Sequence, residues 1–144
     1  MNRAVYYGAL SSPAATGTLG ARIIAAASTQ LGVPYVWGGS TAGVGLDCSG
    51  LVLYAVRQAS GGRTRMPRVA DAQTRVGTPV PTDQLQPGDL ISFTDPGATV
   101  AHHIGIYVGA GRMIHSPETG GVVSYATLAD PYWTGQRWRA VRVG

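Results

Sequence analysis

Helical periodicity in the first half of the chain, followed by short β-rich runs in the second, predicts an α+β domain. In it, N-terminal helices pack on a small antiparallel β-sheet of about five strands. Composition supports this reading: 44% of the 144 residues are apolar and only 12% are charged, which suits a packed core and argues against disorder. The 21 glycines and nine prolines are scattered, so collagen-like and linker-like chains are excluded. With no repeat or composition break, residues 18–144 read as one domain behind an N-terminal arm over residues 1–17.

The arm carries Tyr6-Tyr7-Gly8 and Ser11-Ser12-Pro13 without a sustained period. Thr18 is placed to cap a helix over Leu19–Leu31, with Gly32 in the left-handed position after it and Pro34 blocking continuation. Tyr35-Val36-Trp37 then leads into a Gly-rich loop, in which Trp37 reads best as a core aromatic. A second helix begins at Asp47-Cys48-Ser49 and ends near Ala59, stopped by Gly61-Gly62; Leu51, Val52, Ala55 and Val56 form its buried stripe. A short third helix falls near Val69–Arg75. Beyond it, Leu90–Phe93, Ile104–Val108, Arg112–His115, Val122–Tyr125 and Trp138–Val143 read as strands separated by Gly, Pro and Asp.

Eleven arginines, no lysine and seven acidic residues give a formal charge of +4. The arginines lie singly, whereas a nucleic-acid partner calls for a clustered basic stripe with interleaved aromatics, so none is expected. No apolar run approaches the length of a membrane span. Arg3 and the apolar stretch broken at Ser11-Ser12-Pro13 make a poor secretory signal, leaving either no export by that route or a piece of a longer precursor. One cysteine excludes an internal disulfide and every multi-cysteine metal site.

Cys48 stands at the predicted first turn of a helix, where unpaired N–H groups and the dipole favour a thiolate, so its thiol is expected to react well below the usual cysteine pKa. The alternative is a small buried hydrophobe. A nucleophilic thiol needs a base and a third group to orient that base. All three histidines fall in one predicted hairpin. A three-residue loop at Gly109-Ala110-Gly111 pairs Val108 with Arg112 and sets Gly105 opposite His115. His103 and His115 then share a face as diagonal neighbours, roughly 7–8 Å apart at Cα. His102 points the other way and reads as structural or as a lip of the pocket. Adjacent His102 and His103 diverge on a strand, so no metal site is expected from the three histidines, and no cofactor is expected.

Several segments together resemble the NlpC-type cell-wall peptidases of the papain-like cysteine hydrolases. They are Tyr35-Val36-Trp37-Gly38-Gly39, Asp47-Cys48-Ser49-Gly50, Leu85-Gln86-Pro87-Gly88-Asp89-Leu90, His103-Ile104-Gly105-Ile106-Tyr107-Val108-Gly109 and Met113-Ile114-His115. The resemblance spans about residues 19–144. It implies Cys48 as nucleophile, His103 as general base and later acid, and His115 as the polar third member. It further implies that Tyr35 offers its hydroxyl to the oxyanion, that Asp47 and Ser49 line the substrate side, and that Arg68 supports the site or meets a substrate carboxylate. From the residues alone, Asp47 and Ser49 read equally as helix caps, Arg68 as a surface charge, and Asp89 as a turn acid. Glu118 has no evident partner.

The resemblance implies a monomeric peptidoglycan endopeptidase, secreted or wall-associated. It would cut stem peptides between D-glutamate, through its side-chain carboxyl, and meso-diaminopimelate or lysine. The alternatives are a non-catalytic wall-binding module and a thiol amidase or acyltransferase acting on another amide.

Overall fold

The computed structural model describes residues 17–144, so the expected arm lies, Gly17 apart, outside the described residues. The elements run α1 (Leu19–Ser28), β1 (Ser40–Thr41), β2 (Gly45–Leu46), α2 (Cys48–Ala59), α3 (Ala70–Gln73), β3 (Thr78–Val80), β4 (Leu90–Thr94), β5 (His103–Gly109), β6 (Arg112–His115), β7 (Ser124–Thr127), α4 (Pro131–Thr134) and β8 (Arg137–Arg142). β1 and β2 form a separate hairpin, and the remaining strands make one antiparallel sheet in the order β3-β8-β4-β5-β6-β7.

The sheet has six strands where about five were expected. The addition, β3, holds Pro79 and precedes Pro81, a pattern that reads as loop. It is tolerated because β3 is an edge strand, where a missing N–H costs no ladder bond on the outer side. β7 begins two residues later than expected, because Val122 is drawn into an isolated bridge with Pro34.

Thr18 caps α1 as expected, its hydroxyl accepting from the Ala21 N–H at 3.1 Å. The regular helix ends at Ser28, and Thr29, Gln30 and Leu31 bond three residues back, as in a tighter 3₁₀ turn. Gly32, at φ +87°, therefore does not cap α1 itself; its N–H donates to the Val123 carbonyl and ties this tail to the strand side. α2 runs to Ala59 before Gly61 and Gly62 take positive φ, the stop that the sequence indicates.

Alternation along the strands divides the apolar residues between two faces. On one face, Leu90, Ile104, Ile106, Ile114 and Val141 pack with Ile23, Ala27, Leu51, Val52, Ala55 and Val56 of α1 and α2. Each fully buried side chain of this kind contributes roughly 1.5–3 kcal/mol. On the other face, Ile91, Phe93, Met113 and Leu128 form a smaller cluster with Tyr107, Trp133 and Trp138. Buried Asp89 takes the expected turn role, accepting from the Gln86 N–H, and also receives the Arg142 guanidinium at 2.8 and 2.9 Å, fastening the turn to β8.

Trp37 is not a core residue: it is 85% exposed. The Gly39 N–H closes a tight turn onto the Val36 carbonyl at 2.8 Å, which puts residue 37 at the outer corner. The β5–β6 turn also differs from expectation. Gly109 pairs with Arg112 across a two-residue turn, Ala110-Gly111, in which both residues have positive φ. A bulge at Val108 then shifts the register, so that Tyr107 faces Met113 and Ile106 faces Ile114. Beyond the bulge this is the register that the three-residue loop predicts, and Gly105 stands beside His115.

Candidate active site

The first turn of α2 is fixed by a dense polar network. Asp47 is its N-cap, with Oδ1 accepting from the Gly50 N–H at 2.7 Å. The Arg68 guanidinium donates to Asp47 Oδ1 and Oδ2 at 3.1 and 3.0 Å, to Ser49 Oγ at 2.8 Å and to the Gly39 carbonyl at 3.2 Å. Buried Gln73 adds two bonds through Nε2, to the Ser49 and Pro67 carbonyls. A Cβ at Gly50 would overlap the Gly39 carbonyl oxygen, so glycine there lets the Gly-rich hairpin lie directly on the helix start. Asp47, then, is both a cap and an ion-pair partner, and Arg68 is no isolated surface charge.

His103 opens β5 and His115 closes β6, on adjacent strands and on the same face, as the register requires. His103 Nε2 lies 2.8 Å from His115 Nδ1, with the rings edge to face at 83°. That bond leaves Nδ1 of His103 for another partner. Both rings are only 5% exposed. Burial, helped by His115 and His102, pushes the His103 imidazole down to about 3, and burial pushes His115 down to about 4. Both are therefore neutral near pH 7, and one ring N–H lies between them. When His103 carries its proton on Nε2, its Nδ1 offers a basic lone pair.

Cys48 begins α2, half-buried, and its sulfur lies among the backbone N–H groups of Ile104, Ser49 and Cys48 itself. Ile104 follows His103 in β5, so the thiol sits against the strand that carries the first imidazole. Cys48 and His103 line one cleft of about 530 Å³, together with Tyr35, His102, Pro117, Glu118, Asp130, Tyr132 and Trp133. The expected acidic thiol is not found. Burial pushes its pKa up, the Asp47 carboxylate adds to the rise, and the backbone N–H groups offset only part of it. The resting pair is a thiol and a neutral imidazole.

Tyr35 lines the cleft with its hydroxyl held protonated, its pKa raised by burial and by Cys48 and Asp47 against the opposing effect of Arg68. His102 forms a lip of the cleft, with Nε2 2.6 Å from Gln136 Oε1 and 3.4 Å from Asp95 Oδ1. Asp47, Ser49 and Arg68 are not among the residues lining this cleft; they point their polar atoms mainly at one another behind Cys48, and Ser49 is buried. Glu118, without evident partner in sequence, stands on the cleft wall. The wall formed by Asp130, Tyr132 and Trp133 is absent from the sequence reading. Its signal was present: Asp130 followed by Pro131 is an N-cap with proline in the first turn, and Asp130 Oδ1 accepts from the Tyr132 N–H at 2.9 Å. Among the described residues, no group of three or more His, Cys, Asp or Glu side chains is arranged to hold a metal ion.

A helix-start cysteine set against paired histidines on an antiparallel sheet is the architecture of a papain-like domain. The chain belongs to the NlpC/P60 family, whose sequence profile matches residues 32–142. It is 42% identical over 106 residues to the murein DD-endopeptidase MepH of Escherichia coli (strain K12), covering 72% of this chain and 38% of that protein. It is also 42% identical over 109 residues to the gamma-D-glutamyl-L-lysine dipeptidyl-peptidase of Bacillus subtilis (strain 168), covering 75% and 36%. The chain thus spans less than two fifths of the length of these curated relatives. The crystal structure of the NlpC/p60 domain of the peptidoglycan hydrolase SagA superposes with a TM-score of 0.73 at 33% identity, over 86% of this chain and 98% of that one.

Proposed function

We propose that this chain is a cysteine endopeptidase that hydrolyses peptidoglycan stem peptides. The observation that carries the reading is the convergence of Cys48 and His103, distant in sequence, on one cleft, with His115 bonded to His103. As sulfur adds to the amide carbonyl carbon, its proton passes to Nδ1 of His103. His115 accepts the Nε2–H of His103 and steadies the imidazolium so formed. The Tyr35 hydroxyl and the backbone N–H of Cys48 receive the oxyanion. When the C–N bond breaks, His103 returns the proton to the leaving amine. Water, deprotonated by the same imidazole, then hydrolyses the thioester and frees Cys48.

Tyr35 and Asp47 form the substrate-binding side, which Ser49 and Arg68 hold in shape. The bond favoured is that between the side-chain carboxyl of D-glutamate and meso-diaminopimelate or lysine, in line with the name of the Bacillus subtilis relative. The Escherichia coli relative of equal identity is a DD-endopeptidase, which favours a D,D cross-link as the second reading. The protein acts as a monomer, secreted or associated with the wall; no helix among the described residues is long and apolar enough to cross a membrane. A charge of +4 suits an anionic wall polymer, though attraction is screened beyond roughly 8–10 Å.

Digestion of a defined, cross-linked stem peptide followed by mass spectrometry tests the reading. Fragments cut after the D-glutamate side chain support it, and fragments cut at the cross-link support the second reading. Retention on insoluble wall without any product points to a binding module and contradicts both.

A further inference from the structure

His103 opens onto the cleft yet is 5% exposed. The group that covers it is Trp133 of α4. The indole stacks on the His103 ring at 5.2 Å between centroids and 24° between planes, and meets His115 edge-on at 5.6 Å. Trp133 is itself well fixed. Its ring packs on Phe93 at 4.6 Å, its backbone N–H donates to the Asp130 carbonyl at 3.0 Å, and its backbone carbonyl accepts from Trp138 Nε1 at 2.7 Å. α4 is only four residues long, so these contacts, rather than helix length, hold it over the imidazoles.

We propose that Trp133 is a positioning residue for the general base: its indole clamps the His103 ring in the plane that preserves the bond to His115, and it excludes water from that bond. This rests on the proposed function, because it gives Trp133 its effect through His103. Held in that plane and kept from water, the Nε2–H of His103 stays bonded to His115 as the imidazolium forms during proton transfer, which is where stabilisation accelerates a reaction. The other titratable groups around His103 are Cys48 of α2, Tyr35 of the Gly-rich segment, and neighbouring His102. His115 of β6 and Glu118 of the following loop complete one side, with Asp130 and Tyr132 beside Trp133. Glu118 and Asp130, the formally charged members, are unaltered in both variants below, so a change in His103 titration reports on the indole.

Two substitutions in the full chain test the role, Trp133→Leu and Trp133→Phe. Turnover of a stem peptide and ¹⁵N imidazole NMR titration are both followed. In Trp133→Leu, kcat falls roughly tenfold with KM within about twofold, because the imidazole plane is no longer held. Water reaches the ring, its titration moves up toward the usual histidine range, and kcat/KM falls by up to about tenfold more between pH 7.5 and 5.5. Trp133→Phe keeps a stacked ring, and its titration matches the parent while kcat falls only about threefold. If Trp133→Leu does not fold, the phenylalanine variant decides: a titration moved upward, or a changed KM alone, overturns the role. An unchanged ring titration in a folded Trp133→Leu overturns it too, whatever happens to turnover. A parent that cleaves no stem peptide contradicts the proposed function instead, and the NMR result still reads Trp133.

Discussion

His103 Nε2 and His115 Nδ1 stand 2.8 Å apart, joining the first residue of β5 to the last of β6. The bond fixes which imidazole nitrogen is left for the thiol. Two exchanges at His115 probe it. His115→Asn retains a polar partner and lowers kcat modestly, whereas His115→Ala lowers kcat by roughly 10²–10⁴, both with the far-UV circular dichroism of the parent. Equal turnover in His115→Ala and parent removes His115 from the mechanism.

The same burial makes the fold sensitive to acid. Unfolded imidazoles titrate near 6.5, while the folded His103 and His115 titrate at about 3 and about 4. Between those values the unfolded chain binds more protons, so stability is fullest above 6.5 and is lost as pH falls. The loss is roughly 1.4 kcal/mol per pH unit for each ring. Thermal unfolding at pH 7.5, 6.5, 5.5 and 4.5 checks this: Tm falls steadily below 6.5, and His115→Asn flattens the slope. A Tm independent of pH across that range refutes it.

Cys48 offers a direct reading of the resting protonation state. With burial raising the thiol and both imidazoles neutral, the rate of alkylation by iodoacetamide in the free protein rises with a midpoint above the usual cysteine value of about 8.5. Stem-peptide cleavage is nevertheless expected at pH 7, with His103 removing the proton during attack. An alkylation midpoint well below 8.5 indicates a preformed thiolate–imidazolium pair instead.

Arg68 holds three partners at once, Asp47, Ser49 and Gly39, through a planar fork that lysine cannot reproduce. Arg68→Lys lowers kcat/KM roughly tenfold by loosening the first turn of α2. Arg68→Ala costs roughly 1–2 kcal/mol in addition, which denaturant unfolding measures. Parent-like values in both variants show that the network is dispensable.

What the sequence made legible follows from what each residue had to satisfy locally. The cap at Thr18, the stop at Gly61-Gly62 and the start at Asp47 each express a backbone need within a few residues, and each is found in place. The convergence of His103 and His115 was readable because strand alternation and one short turn decide it. A bulge at Val108 compensates for the two-residue turn, so the face is as expected although the loop is not. Trp37 was misread because burial depends on a corner formed by Val36 and Gly39, a tertiary feature of the hairpin. The thiol acidity was misread for a related reason. A helix start can be inferred from Asp47-Cys48-Ser49, but the desolvation that outweighs it comes from the strand and helix packed around the sulfur. Trp133 escaped notice because the four residues of α4 carry no period: Asp130-Pro131 marks a helix start, but only contacts with Phe93, His103 and Trp138 fix where the indole lies.

Acid-quenched single turnover of a defined stem peptide, followed by intact-protein and tandem mass spectrometry, tests the central claim most directly. The account predicts a transient acyl adduct on Cys48 that forms and decays at the rate of product release, with neither adduct nor product in Cys48→Ala. Product released by Cys48→Ala at the parent rate, or an adduct mapped to another residue, contradicts it.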